Sequence, residues 1–327
     1  MGHFKTSIIV TIIGFAVAYF LGGFAALYIV FLLSILEVSL SFDNAVVNAK
    51  VLETMTPIWQ KRFITYGIPI AVFGMRFLFP LIIVAIAGGY GVIDVFKMAL
   101  HDQAQYKSIL DDVNVIIYAF GGAFLFMVFL DFLFDEEREV KWIKPLESNW
   151  LIHKIAQAEH TEIIIALSVG LYLTSHCGEA HSTSIALAYF TGVLLHSIII
   201  TVDELMNTNG VRNGIVGLLY LEVLDASFSF DGVIGAFALS SDIFIIMIGL
   251  GIGAIFVRSL TLHMVEKKTL DEYRYLEHGA HYAILALALL MFTKMFIHIN
   301  DLIVGTVGIF FIFISVLHSI IEKRKAK

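Results

Sequence analysis

The chain has 327 residues, 59% of them hydrophobic and 15% charged, with a mean hydropathy of +0.87 and a formal net charge of −7. That balance lies far outside the range of a soluble domain, and on a membrane protein charge informs mainly through the loops that carry it. No nucleic-acid partner is expected, and the single cysteine, Cys177, excludes an intramolecular disulfide and a multi-cysteine metal site.

Lys5 precedes a long apolar run with no small-residue cleavage site, so the chain opens on a transmembrane helix rather than a cleaved signal. From there the apolar runs, each near the ~20 residues that cross a bilayer as a helix, predict about ten spans. They cover 7–22, 24–50, 63–87, 113–134, 161–175, 184–205, 214–240, 242–263, 279–297 and 301–321, with only Gly22-Gly23 between the first two. Of the 21 Lys and Arg, only Lys97 and Lys107 fall in outer segments when the N-terminus is placed inside, while Arg76, Arg258 and Lys294 fall within spans. The positive-inside rule therefore predicts cytoplasmic N- and C-termini in a multi-pass protein of the cell (cytoplasmic, inner) membrane, surrounded by lipid and compatible with an oligomer.

The second span carries "EVSLSFDNA", with Glu37 and Asp43 where hydrocarbon is expected. A charge at the bilayer centre costs at least ~2.5–3.5 kcal/mol, so such acids point to a site. On a continuous helix the two differ by about 120° and share no face. Ser39, Ser41, Phe42 and Asn44 favour a broken turn that aims both carboxylates at one point. Farther along, the outer loop 88–112 is acidic and partly amphipathic, and the inner loop 135–160 is of mixed charge; both read as solvated connectors.

The seventh span repeats the pattern. "EVSLSFDNAVV" (37–47) aligns with "DASFSFDGVIG" (225–235), setting Asp225 opposite Glu37, Ser227 opposite Ser39, Ser229 opposite Ser41, Asp231 opposite Asp43 and Gly232 opposite Asn44. Downstream, Arg76 aligns with Arg258 and Tyr118 with Tyr282. An offset of five spans makes the copies cross the membrane in opposite directions, which is the pattern of secondary transporters with a midplane site between repeats. The expected organisation is a first repeat over 1–175 and a second, inverted repeat over 176–327.

Glu37, Asp43, Asn44, Asp225 and Asp231, with Glu222 one turn before Asp225, form a set of hard oxygen donors suited to Mg²⁺, Ca²⁺ or Mn²⁺. Ser39, Ser41, Ser227 and Ser229 supply hydroxyls or relax the helix, and Arg76 and Arg258 support the acids, pairing with them when no cation is bound. A proton relay without metal and a purely structural pairing of acids with arginines are the other readings. The duplicated acid–Ser–x–Ser–Phe–Asp motif resembles the TerC-type membrane proteins, named for tellurite resistance and placed with the lysine-exporter superfamily. The resemblance implies a metal-ion exporter, most often of Mn²⁺, with the family's acidic motif residues falling on Glu37, Asp43 and Asn44 and, in the second copy, on Asp225 and Asp231. Gly232 departs from the pattern.

The expected function is therefore export of a divalent cation by alternating access, Mn²⁺ first and Ca²⁺, Mg²⁺ or Zn²⁺ as alternatives, with protons as a coupling ion. The competing classes are a proton-coupled transporter or channel for another ion and an intramembrane aspartyl hydrolase. Against an enzyme, the chain lacks a Gly-x-Gly-Asp setting, a phosphate loop and a His-Glu-x-x-His zinc motif. In the outer "SHCGEAH" loop, His176, Cys177, Glu179 and His181 could capture a transition metal or simply line a polar connector.

Overall fold

A computed structural model of the chain describes residues 2–325 except 136–137, 139, 151–153, 155–159, 178–181, 207–213, 237–238, 241, 298 and 300. Every regular element among the described residues is helical. In chain order these are α1 (Gly2–Leu40), α2 (Phe42–Thr54), α3 (Pro57–Pro69), a π-helical segment (Ile70–Leu78), α4 (Phe79–Gly88), α5 (Val92–His101), α6 (Gln103–Phe134) and α7 (Lys144–Glu147). They continue with α8 (Thr161–His176), α9 (Ser182–Met206), α10 (Ile215–Ala236), α11 (Ile243–Lys267), α12 (Thr269–Glu272), α13 (Leu276–Lys294) and α14 (Asp301–Lys325). Six of them are long and apolar enough to cross a membrane, so the protein is an all-helical, multi-pass membrane protein.

The helices group into two compact units, one of residues 1–114 and 209–267, the other of residues 115–208 and 268–327. Each unit draws on both halves of the sequence.

In the first unit, α1 is two helices joined at Gly22-Gly23. Gly23 adopts φ 65°, a left-handed value that glycine reaches without Cβ strain. The contacts show that the chain folds back there. Phe15 and Phe31 rings lie 6.5 Å apart, although 16 residues of straight helix would separate them by about 24 Å. Along α11, Ile252 meets Gly14 and Ser259 meets Ser7, while Gly249 meets Leu33 and Gly253 meets Glu37. One arm of α1 thus runs antiparallel to α11 and the other parallel to it. The glycines of α11 permit this close packing: a Cβ on Gly249 would sit 2.5 Å from Leu33 Cβ, and one on Gly253 2.9 Å from the Ser34 carbonyl. Hydrogen bonds add to it, from Ser34 Oγ to the Gly249 carbonyl (3.0 Å) and between the Ser7 and Ser259 hydroxyls (2.6 Å).

The run 57–88 is helical from α3 through the π-helical segment to α4. Pro69 and Pro80 bracket the widened turns, and each removes an N–H from the helical ladder. Arg76 sits inside this segment. The loop 88–112 holds the ten-residue helix α5, with Val95 and Ala99 buried, so part of it is packed rather than a solvated connector.

The second unit packs α6, α8, α9, α13 and α14 around Phe124, Met127, Tyr189, Ile284 and Met291, all buried. The expectation of a solvated connector over 135–160 also fails in part, because Glu147 is buried. It accepts hydrogen bonds from the backbone N–H groups of Trp142 (3.2 Å) and Ile143 (3.0 Å) and from the Tyr282 hydroxyl (2.9 Å). Arg138 (3.3 Å) and His278 (3.4 Å) complete the shell. Burial alone works to raise the Glu147 pKa, but these donors and charges outweigh it and hold the group at about 2, against an ordinary value of 4.5.

A carboxyl with a depressed folded pKa contributes stability above its unfolded pKa and loses it as pH falls through the folded value. The melting temperature in detergent is therefore expected to drop between about pH 4.5 and pH 2. The Glu147→Gln variant should melt lower at pH 7 and lack this share of the acid slope. An unchanged slope in the variant would show that Glu147 is not the group responsible.

Candidate transport site

The charged residues singled out in the apolar helices meet in the first unit. Glu37 lies near the end of α1, Asp43 and Asn44 in the first turns of α2, Arg76 in the π-helical segment, Glu222 and Asp225 on α10 and Arg258 on α11. All seven are buried, Glu37 and Asn44 with no exposed surface. Charges so placed persist only when paired and hydrogen-bonded.

Two arginines bridge three of the acids. Arg76 donates through Nη2 to Glu37 Oε1 and through Nη1 to Asp225 Oδ2 (3.3 Å). Arg258 donates through Nη2 to both oxygens of Glu222 (3.0 and 3.1 Å), and the same nitrogen lies 3.7 Å from Asp225 Oδ2. Arg258 is set in place by Phe63, whose carbonyl accepts from Nη1 (3.3 Å) and whose ring lies 4.3 Å beneath the guanidinium carbon. Gly67 makes room for it, since a Cβ there would lie 2.7 Å from Arg258 Cζ and 3.0 Å from Glu222 Oε1. Asp225 is thus shared between the two arginines.

The remaining contacts are uneven. Asn44 Nδ2 donates to Asp225 Oδ1 at 2.7 Å. Ser41 Oγ donates to Glu37 Oε1 at 2.8 Å, and the Asn44 backbone N–H to Asp43 Oδ1 at 3.0 Å. Among the described residues no lysine or arginine pairs with Asp43. Among the described residues nothing donates to Glu37 Oε2; it faces the backbone of Gly232, where a Cβ would stand 3.0 Å away.

The motif helix is broken in one copy only. Ser41 takes φ −107° and ψ 16° between α1 and α2, yet its N–H still reaches the Glu37 carbonyl (2.9 Å) and its carbonyl the Ala45 N–H (3.1 Å). It is a kink, not an unwound segment. Across 225–231 the backbone of α10 is helical throughout.

Of the residues named from sequence, Glu37, Asn44, Arg76, Glu222, Asp225 and Arg258 come together, with Ser41 attached through Glu37. Asp43 is buried on α2 beside Asn44. The side chains of Ser39, Ser227, Ser229 and Asp231 lie outside the described residues. Among the described residues no three His, Cys, Asp or Glu side chains group as a metal-ligand cluster; the acids are held by arginine instead. In the "SHCGEAH" loop, Glu179 and His181 are likewise outside the described residues. His176 Nδ1 is engaged locally, 2.8 Å from the Tyr172 carbonyl and 3.0 Å from Ser175 Oγ. His196 on α9 lies 3.3 Å from Asp131 on α6.

One polar residue escaped the sequence reading. Asn48, one turn beyond Asn44 on α2, is buried, and neither its Oδ1 nor that of Asn44 accepts a hydrogen bond. The spacing Glu37, Ser41, Asn44, Asn48 was the signal available.

These features define a multi-pass helical membrane protein with a buried, arginine-bridged acid cluster. The sequence model of the family described as "Protein of unknown function (DUF475)" matches residues 42–326, and the chain belongs to that family. No curated protein and no solved structure matches it.

Proposed function

We propose that the protein moves a divalent cation across the membrane, with Mn²⁺ export as the leading case. The observation that carries this reading is an imbalance of buried charge. The first unit buries four carboxylates, Glu37, Asp43, Glu222 and Asp225, against two arginines, Arg76 and Arg258, which reach only three of them, and among the described residues one carboxylate oxygen, Glu37 Oε2, accepts no bond. A low-dielectric interior does not hold two surplus negative charges without cations or protons to balance them. The donors are hard oxygens, the chemistry of Mn²⁺, Mg²⁺ and Ca²⁺ rather than of soft metals. The resemblance of the motif to TerC-type exporters points the same way.

In this reading Arg76 and Arg258 are tethered counter-cations. They neutralise the acids while the substrate is away and yield the carboxylates when it arrives. A divalent ion and an arginine compete for the same oxygens, so binding and rearrangement of the helices are coupled, as alternating access requires.

Ten crossings follow if the α1 hairpin supplies two, the run 57–88 one, and α8 and α10 one each beside the other long helices. Both termini then lie on the cytoplasmic side of the inner membrane. Reciprocal contacts support the inverted repeat. Glu37 aligns with Asp225 and Asn44 with Gly232, and the cluster pairs Asn44 with Asp225 and Gly232 with Glu37. The resulting site is an exchange of partners across the two copies.

The full chain reconstituted in liposomes tests the proposal directly. With a Mn²⁺-sensitive dye inside, wild type should transport Mn²⁺, and a pH dye should report any coupled protons. Proton flux without Mn²⁺ flux would replace the reading by a proton pathway; neither flux would overturn it.

A further inference from the structure

We infer that the face of the first motif helix formed by Glu37, Ser41, Asn44 and Asn48 is a conduction path for the cation, running from the arginine-bridged acids along α2. This deepens the transport reading and rests on it. Offsets of four, seven and eleven residues return to within about 40° of the starting direction on a helix, so the four side chains form one stripe. Helical bonding continues through Ser41, which keeps the stripe in register across the kink.

Among the described residues, three oxygens on this stripe, Glu37 Oε2, Asn44 Oδ1 and Asn48 Oδ1, are buried acceptors without a donor. Their residues are at most 2% exposed. Native interiors rarely leave even one such acceptor unserved, and three in a row on one helix face suit a partner that the chain does not itself supply, a role the transported cation fills in this reading. Amide orientation does not remove the problem. Asp225 Oδ1 can only accept from Asn44, so the Asn44 NH₂ is committed to it and the amide oxygen must point elsewhere.

Among its described residues the opposite copy offers no equivalent. Asp225 is satisfied at both oxygens, by Asn44 at one and by the two arginines at the other. The glycine at 232 brings no side-chain donor to Glu37. Among the described residues the open acceptors therefore lie on the first-copy side. One acid (Glu37) anchors the cation, and neutral amides spaced one turn apart pass it along, binding strongly enough to desolvate it and weakly enough to release it. Asn48 is the step farthest from the acids. Beyond it, Lys50 is exposed, so the stripe ends close to solvent.

The test uses the full chain in Mn²⁺ liposomes and, in parallel, Mn²⁺ titration calorimetry in detergent. Asn48→Leu keeps the side-chain volume and removes the acceptor. It should slow Mn²⁺ transport about tenfold, the scale of one lost polar contact, while leaving Mn²⁺ affinity at the acids nearly unchanged. Asn48→Asp keeps an acceptor in place and should restore transport. Unchanged transport in Asn48→Leu overturns the path. Loss in both variants also overturns it, since that outcome assigns Asn48 a merely structural amide contact. A wild type that neither binds nor moves Mn²⁺ defeats the transport reading, and the path with it.

Discussion

Replacing Arg76 by glutamine is expected to destabilise the protein by about 3–5 kcal/mol, the cost of breaking a buried ion pair from one side. Arg76 bridges Glu37 on α1 and Asp225 on α10, so its loss strands Glu37 and leaves Asp225 with Arg258 as its one charged partner among the described residues. In detergent this should lower the melting temperature by on the order of 10 °C. Arg76→Lys keeps the charge but presents one ammonium where two guanidinium nitrogens now reach different acids, so it should fall between wild type and Arg76→Gln. Removing one stranded charge should recover part of the loss, so Arg76→Gln with Glu37→Gln should melt above Arg76→Gln alone. Wild-type melting in Arg76→Gln would mean that the bridge contributes nothing to the fold.

The bridge also shows where sequence reasoning stops. That Glu37, Asp225, Arg76 and Arg258 belong together was legible, because charges in apolar helices are costly and because the motif recurs. The Gly22-Gly23 junction was legible as a chain reversal, since only glycine accepts the left-handed turn between two apolar runs. The pairing was not. The alignment sets Asp225 opposite Glu37, yet the acid that takes Arg258 in a two-pronged contact is Glu222, one turn earlier. A helix turn shifts a carboxylate by only about 5 Å, and the long arginine side chain absorbs the difference. The kink could not be assigned to one copy from Ser39, Ser41, Ser227 and Ser229, because both copies carry the serines. Asn48 was missed for another reason: a neutral amide near the end of a span resembles an interfacial residue until its burial is known. The π-helical segment had no periodic signal at all, although Pro69 and Pro80 mark its limits.

Asp43→Asn should separate transport from folding most cleanly. Asp43 is buried on α2, and among the described residues no arginine or lysine pairs with it. Its hydrogen bond is local, from the Asn44 N–H to Oδ1, and an asparagine oxygen can accept the same bond. Shape and volume are retained, so melting should stay within a degree or two of wild type, in contrast to Arg76→Gln. Transport should not survive. A divalent cation loses a full charge from its oxygen shell, and about 3 kcal/mol of charge-assisted interaction corresponds to roughly a hundredfold. Asp231→Asn, at the aligned position of the second copy, should behave alike if both motifs face one site. Transport preserved in Asp43→Asn would remove the first motif from the cation path and leave the arginine-bridged cluster as a structural lock between helices. Transport lost only in Asp43→Asn, with Asp231→Asn active, would keep the site but confine it to the first copy, which is the side where Glu37 Oε2, Asn44 Oδ1 and Asn48 Oδ1 accept no hydrogen bond.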